Sequence, residues 1–157
     1  MNRRLITIAV IIGTFILMPT IACAGDLDDL KAVVNNGLEG WNTLNAAKYV
    51  EGLHGNAVVA GIASPFFVVR TGKEATRASL TAMLANNEIL LATPINIEYK
   101  IIENVGLVFG NFSTVSKVKD GPIRVDYSRA LFVYTKVKGK WQAVASSIAP
   151  ISVGSSN

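Results

Sequence analysis

Cysteine is almost absent from this 157-residue chain: Cys23 is the only one. The sequence after it therefore has no disulfide, no thiolate nucleophile and no thiolate metal site. Histidine is equally scarce. His54 stands alone, which excludes a multi-histidine metal centre and requires any Ser-His-acid triad to be built around that one residue. Charged side chains make up 17% of the chain, and its Lys and Arg are scattered, often beside Glu or Asp. A nucleic-acid surface needs clustered basic residues with interleaved aromatics. Neither Lys117, Lys119 and Arg124 at one loop nor Lys136, Lys138 and Lys140 at another provides that, and solvated hairpin ends explain both groups. There is no internal repeat, and the sole low-complexity stretch is the Gly154-Ser155-Ser156-Asn157 tail.

What the first 24 residues do contain is ordered like a secretory leader. Arg3 and Arg4 precede an uncharged apolar run from Leu5 to Met18, then Pro19 and the small residues Ala22-Cys23-Ala24. The run is shorter than the roughly 20 residues a membrane-crossing helix needs, and a helix-breaking proline ends it. We expect export to the periplasm or outside, with residues 1–24 as signal peptide, 25–152 as one domain and 153–157 as a flexible tail. Of the formal charge of +4, two units leave with Arg3 and Arg4. Cys23 follows Thr20-Ile21-Ala22, an imperfect lipoprotein cleavage pattern, so the alternative is a lipid anchor at Cys23; contact with a membrane is expected only in that case.

From Asp26 onward, Leu27, Leu30, Val34, Leu38, Trp41 and Leu44 fall three or four apart, the spacing of one helix face. Asp26 is suited to cap that helix and Asp28 and Asp29 to its positive end, whereas Gly37 and Gly40 weaken its later turns. A short helix is expected from the cap Asn45 to about Leu53, then a turn at His54-Gly55-Asn56. Ala57 to Ala60 and Phe66 to Arg70 read as short buried strands around Ser64-Pro65. Thr71-Gly72-Lys73-Glu74 reads as a capping box opening a helix to about Asn87, whose alanines 75, 78 and 82 suggest close packing on a sheet. After Thr93-Pro94 the period becomes two, with Ile95, Ile97, Tyr99 and Ile101 opposite Asn96, Glu98 and Lys100. Leu107 to Lys119, Arg124 to Val137 and Trp141 to Ile148 add three strands, joined at Asp120-Gly121-Pro122 and Lys138-Gly139-Lys140. Helices first and an antiparallel meander after make the class α+β.

That order, with Trp41-Asn42 closing the first helix, Tyr49 in the second, Asn56-Ala57-Val58-Val59 as the first strand, Gly72-Lys73-Glu74-Ala75 opening the third helix, and Ser128-Arg129 followed by Gly139-Lys140-Trp141, resembles the SnoaL-like group of the nuclear transport factor 2-like superfamily. The likeness spans nearly all of Leu27 to Ser152. It implies a cone: N-terminal helices on a curved antiparallel sheet, a cavity open at one end, and commonly a dimer formed through the sheet. Members include ketosteroid isomerases, scytalone dehydratase, polyketide cyclases, epoxide hydrolases and many domains without a known reaction, so fold alone leaves function open. The isomerases' carboxylate base falls near Gly61 and their helix-one tyrosine near Gly37, neither of which can do that work. Where related domains carry acids, this chain has Asn45 and Asn56. Their late-strand histidine and following serine correspond to Ser147 and Ala149.

These departures favour binding over catalysis. The expected function is capture of a small, mostly apolar ligand by a homodimer without a cofactor or metal. Arg129, which shares a strand face with Leu131 and Val133, either forms a structural bridge to Glu98 or Asp126 or holds a carboxylate or carbonyl. A two-residue loop at Lys138-Gly139 and a three-residue loop through Lys140 give it different partners. Tyr99, Asn111, Ser113, Tyr127, Tyr134 and Ser147 can offer hydroxyls or an amide to an apolar cavity. His54 is either a turn residue closing the second helix or a general base with Glu51, Asp126 or a serine. Two alternatives stand beside binding. One is a lyase, isomerase or hydrolase using a set such as His54, Asp126 and Tyr99; the other is a dimeric assembly module whose cavity is filled by Trp41, Phe66, Phe109 and Phe112.

Overall fold

The computed structural model describes residues 18–61 and 68–151. The leader up to residue 17, the Ser64-Pro65 turn and the 153–157 tail lie outside the described residues. Three helices, α1 (Met18–Asn42), α2 (Ala46–Glu51) and α3 (Lys73–Leu84), accompany six strands. These are β1 (Leu53–Gly61), β2 (Val68–Thr71), β3 (Asn87–Ile102), β4 (Val105–Val118), β5 (Ile123–Val137) and β6 (Lys140–Pro150). They form one sheet in the order β2-β1-β6-β5-β4-β3, antiparallel except where β1 runs parallel to β6. The α+β meander expected from the sequence is present, with its helices on one side of the sheet.

Helix α1 starts earlier than the sequence suggested and runs through Gly37 and Gly40 to Asn42. Asp26 therefore lies inside the helix and does not cap it. Its carboxylate pairs with Lys136, and its backbone carbonyl accepts a 3.0 Å hydrogen bond from Trp141 Nε1. These contacts fasten the helix to the β5–β6 hairpin, where Leu30 and Trp141 are buried. Asn45 does cap α2, its side chain accepting from the Lys48 amide at 3.0 Å.

The capping box at Thr71 does not form. Thr71 stays extended in β2, paired with Val58, so the chain enters α3 at Gly72, whose φ of 96° suits a residue without a Cβ. Nor do the alanines of α3 face the sheet: Ala75, Ala78 and Ala82 are exposed, and Thr76, Leu80 and Leu84 are buried. His54 lies within β1, and the C-cap of α2 is Gly52.

Two β-bulges set which side chains face the helices. In β3, Pro94 pairs with Phe112 and Asn96 with Asn111, so Ile95 is an extra residue. Leu90 and Ala92 point inward before it, and Ile97, Tyr99 and Ile101 after it. Strand β3 thus begins well before Pro94, and Ile95 belongs to neither inward set. In β6, Ala143 pairs with Tyr134 and Ala145 with Val133, making Val144 the extra residue. Trp141 and Ala143 are buried before it and Ser146 after it. The turn into β6 has two residues, Lys138 and Gly139, with φ of 51° and 78°; Val137 pairs with Lys140 and Arg129 with Ala149.

Candidate ligand-binding cavity

Helix α1 crosses the sheet and is tied to it again at its last residue, where the Asn42 side chain accepts from the Ala92 N–H at 2.8 Å and donates to the Ala92 carbonyl at 3.1 Å. The space between helix and sheet is a cavity of about 750 Å³, within the size range of small-molecule sites. Val34, Gly37, Leu38 and Trp41 recur at helical spacing along its α1 wall. Inward residues of the long strands form the floor: Leu90 and Ala92 on β3, Phe112 and Thr114 on β4, Ala130 and Phe132 on β5, Ser146 and Ile148 on β6. Leu80 and Met83 of α3 and Tyr49 of α2 close the side, while the exposed residues Val125, Asp126 and Tyr127 mark the open end. Trp41 and Tyr49 stack at a tilt with ring centroids 5.8 Å apart, and Phe112 meets Phe132 edge-on at 6.4 Å.

Apart from Asp126, the polar groups of the described lining are neutral. Ser128 and Ser146 are buried on the floor, at 8% and 7% exposure, and Tyr134, farther along β5, at 6%. Burial, with the neighbouring Tyr49 and Tyr99 phenols, pushes the Tyr134 hydroxyl well above its ordinary range, so it acts as a neutral O–H and not as a phenolate base. Two buried polar atoms in the lining have no hydrogen-bond partner: Trp41 Nε1 and Ser146 Oγ. An unsatisfied buried donor costs about 1–3 kcal/mol. Asp126 is the single carboxylate among the described lining residues, which include no Lys, Arg or His.

Of the residues singled out from the sequence, Tyr134 lines this cavity, and Tyr127 and Asp126 line its open end. Arg129, Asn111 and Ser147 come together elsewhere, with Glu98, Phe109 and Leu131, in a recess of about 460 Å³ on the opposite face of the sheet. Ser113 pairs with Tyr127 and Thr93 in the same sheet and lines neither space. Tyr99 is half-buried with Lys31 Nζ 5.9 Å from its ring centre, and burial raises its pKa; it does not line the cavity. His54 Nδ1 accepts from the Asn56 amide at 3.2 Å and lines neither space. His54, Asp126 and Tyr99 therefore do not converge on one site. Trp41 and Phe112 border the cavity without filling it, Phe109 is on the other face, and Phe66 lies outside the described residues. Trp41, Ser128 and Ser146 escaped the sequence reading as polar lining groups.

The same architecture occurs in solved structures of low sequence identity. A ketosteroid isomerase-like protein from Erwinia carotovora atroseptica superposes with a TM-score of 0.68 at 15% identity, covering 81% of this chain and 97% of that one. A nuclear transport factor 2-like protein with a cystatin-like fold, from Novosphingobium aromaticivorans, gives 0.68 at 13%, covering 86% and 88%. The fold is the nuclear transport factor 2-like fold. A type 2 hexachlorocyclohexane dehydrochlorinase shares it as well, with a TM-score of 0.72 at 8% identity over 85% of this chain and 93% of that one. No family model matches the sequence, and no curated protein does. On this fold the cavity lies where α1 spans the concave side of the sheet.

Proposed function

We propose that this chain is an exported SnoaL-like binding protein that holds a small, largely apolar molecule in the cone cavity without transforming it, and that it acts as a homodimer. The observation that carries the reading is the cavity's chemistry: about 750 Å³ of mostly apolar wall whose one described carboxylate, Asp126, sits at the open end. Acid–base catalysis needs a titratable group within hydrogen-bond reach of the reacting atom, and apart from Asp126 the described lining offers neutral hydroxyls, the Asn87 amide and the Trp41 indole. One structural neighbour is named as ketosteroid isomerase-like and another as a hexachlorocyclohexane dehydrochlorinase, names that support a hydrophobic ligand. Export rests on the Arg3-Arg4 start, the Leu5 to Met18 run and the small residues before Gly25.

Dimerisation is supported by the sheet's outer face. Phe109 and Leu131, paired across β4 and β5, are exposed there at 38% and 44%, and Leu91 at 47%. Scattered exposed apolar residues need no explanation, but a cross-strand pair beside a recess on one sheet face supports an interaction surface there.

The experiment is titration of the purified, processed protein with Nile red, a neutral hydrophobic dye, alongside turnover assays on hydrophobic ketones, epoxides and alcohols. Saturable dye uptake with no turnover supports the reading. Turnover abolished by Asp126→Asn would replace it with an enzyme, and absence of dye uptake would remove the cavity from the argument.

A further inference from the structure

Polarity along the cavity floor changes in one direction, toward the mouth. Counting by twos along β5 from Tyr134 through Phe132, Ala130 and Ser128 reaches Asp126, and no bulge between β4 and β5 reverses the count. The Asp126 carboxylate therefore stands on the cavity side of the sheet, at the open end. On β4 the same count passes from Phe112 to Thr114 and Ser116. Thr114 is the direct cross-strand partner of Asp126, which puts their Cβ atoms about 5 Å apart. Inward of Ser128 the floor turns apolar at Ala130 and Phe132, and from Asp126 to Tyr134 it extends about 27 Å along the strand.

The mouth groups are free to meet a ligand. Among the described residues no ion pair includes Asp126, and no hydrogen bond within the protein uses the side chains of Asp126, Thr114, Ser116 or Ser128. Asp126 is also the one charged residue of the described lining. Arg124, next on the same face and opposite Ser116, is exposed and outside that lining, while Lys117 is engaged with Glu88. A wholly apolar ligand covering the mouth would strip water from Asp126 and replace it with nothing. A carboxylate head would meet a like charge with no cation in the lining to offset it. An ammonium has three donors, enough to meet the Asp126 carboxylate and the Thr114 hydroxyl together while its open side stays in water.

Resting on the binding reading above, we infer that the ligand is a cationic amphiphile, with its apolar body in the cone and its ammonium group at Asp126 and Thr114. Anionic amphiphiles of the same length are rejected at the mouth.

Decylamine, decan-1-ol and decanoate share a chain and differ in the head, and each can be competed against bound Nile red at neutral pH and low salt. Decylamine should displace the dye at about tenfold lower concentration than decanoate, and raised salt should shrink that ratio because Asp126 is exposed. Asp126→Asn should weaken decylamine about threefold to tenfold and bring it within about threefold of decanoate. The same change should leave decan-1-ol, which carries no charge, within about twofold of its native affinity. Circular dichroism checks that the variant folds; if it does not, the three ligands and the salt series on the unaltered protein decide. Dye displacement by decanoate at or below the concentration of decylamine, or a preference for the amine untouched by both salt and Asp126→Asn, overturns the inference and leaves the binding reading standing. Failure of Nile red to bind at all overturns both.

Discussion

At Gly37 the long first helix carries its weakest interior helix-former on the face that looks into the cavity, and a Cβ built there meets nothing within 4 Å. Glycine inside a helix costs roughly 0.5–1 kcal/mol relative to alanine. Gly37→Ala should therefore raise the free energy of unfolding by about that amount, read from urea denaturation. Gly37→Phe should fold and project its ring into the empty space, so that Nile red uptake falls while the far-ultraviolet spectrum is kept. If the dye binds undiminished, Gly37 does not border the binding space. Tyr134 makes a pH prediction of definite sign. Its pKa is raised in the folded protein by burial, whereas an unfolded tyrosine ionises near 10. Below pH 10 both states are protonated and stability is unaffected. Above it the unfolded chain loses its proton first, so stability should fall as pH rises from about 10, and Tyr134→Phe should flatten that fall in the thermal midpoint. An equally steep fall in the variant would assign the alkaline transition to other groups.

Strand β3 depends on a close approach that a single methyl group would break. The bulge at Ile95 pushes the Asn96 carbonyl toward Gly110, where a built Cβ would lie 1.9 Å from that oxygen. Gly110→Ala must therefore displace backbone, and it should cost at least the roughly 1–3 kcal/mol typical of overpacking, read as a lower urea midpoint. A neutral effect would mean that the bulge relaxes at no cost. Bulges also explain what the sequence could show and what it could not. The face Leu30, Val34, Leu38 and Trp41, the cap at Asn45 and the presence of a turn within Lys138-Gly139-Lys140 follow local rules and could be read from adjacent residues, whereas the turn's length of two residues emerges only from the Val137–Lys140 pairing. Counting by twos from Trp141 puts Ala143, Ala145 and Ser147 on the inward side. Val144, the extra residue in β6, reverses that count, bringing Ser146 to the cavity and Ser147 to the outer face. No pattern within Lys140–Pro150 marks the bulge, since its small residues suit either side. In β4 the near-continuous run Leu107-Val108-Phe109-Gly110-Asn111-Phe112 gives no alternation to read, so the outward placement of Asn111 emerges only from pairing with Arg129.

At the scale of the molecule, the outer face of the sheet differs from the cavity in carrying both signs of charge. Glu98 and Arg129 border the same recess among Phe109 and Leu131, and neither is in an ion pair among the described residues. In a two-fold interface one patch meets a copy of itself, so each residue's partner must be on that patch too. A surface carrying one cation, one anion and an apolar surround satisfies that condition, because Glu98 of each copy can meet Arg129 of the other. A patch of one sign would repel itself. The sequence alone left Arg129 open between an internal bridge and a ligand contact; its pairing opposite Asn111 and Ala149 turns it away from the cavity and makes the intermolecular pair available. Sedimentation velocity should find a dimer in the native protein, and Arg129→Glu should shift it toward monomer because like charges then face one another. Glu98→Arg should do the same. Combining the two restores opposite charges across the axis, so the double variant should recover dimer that each single change lost. Loss without recovery would place the interface elsewhere on the sheet, and a native monomer at all concentrations would leave the apolar face for a different protein.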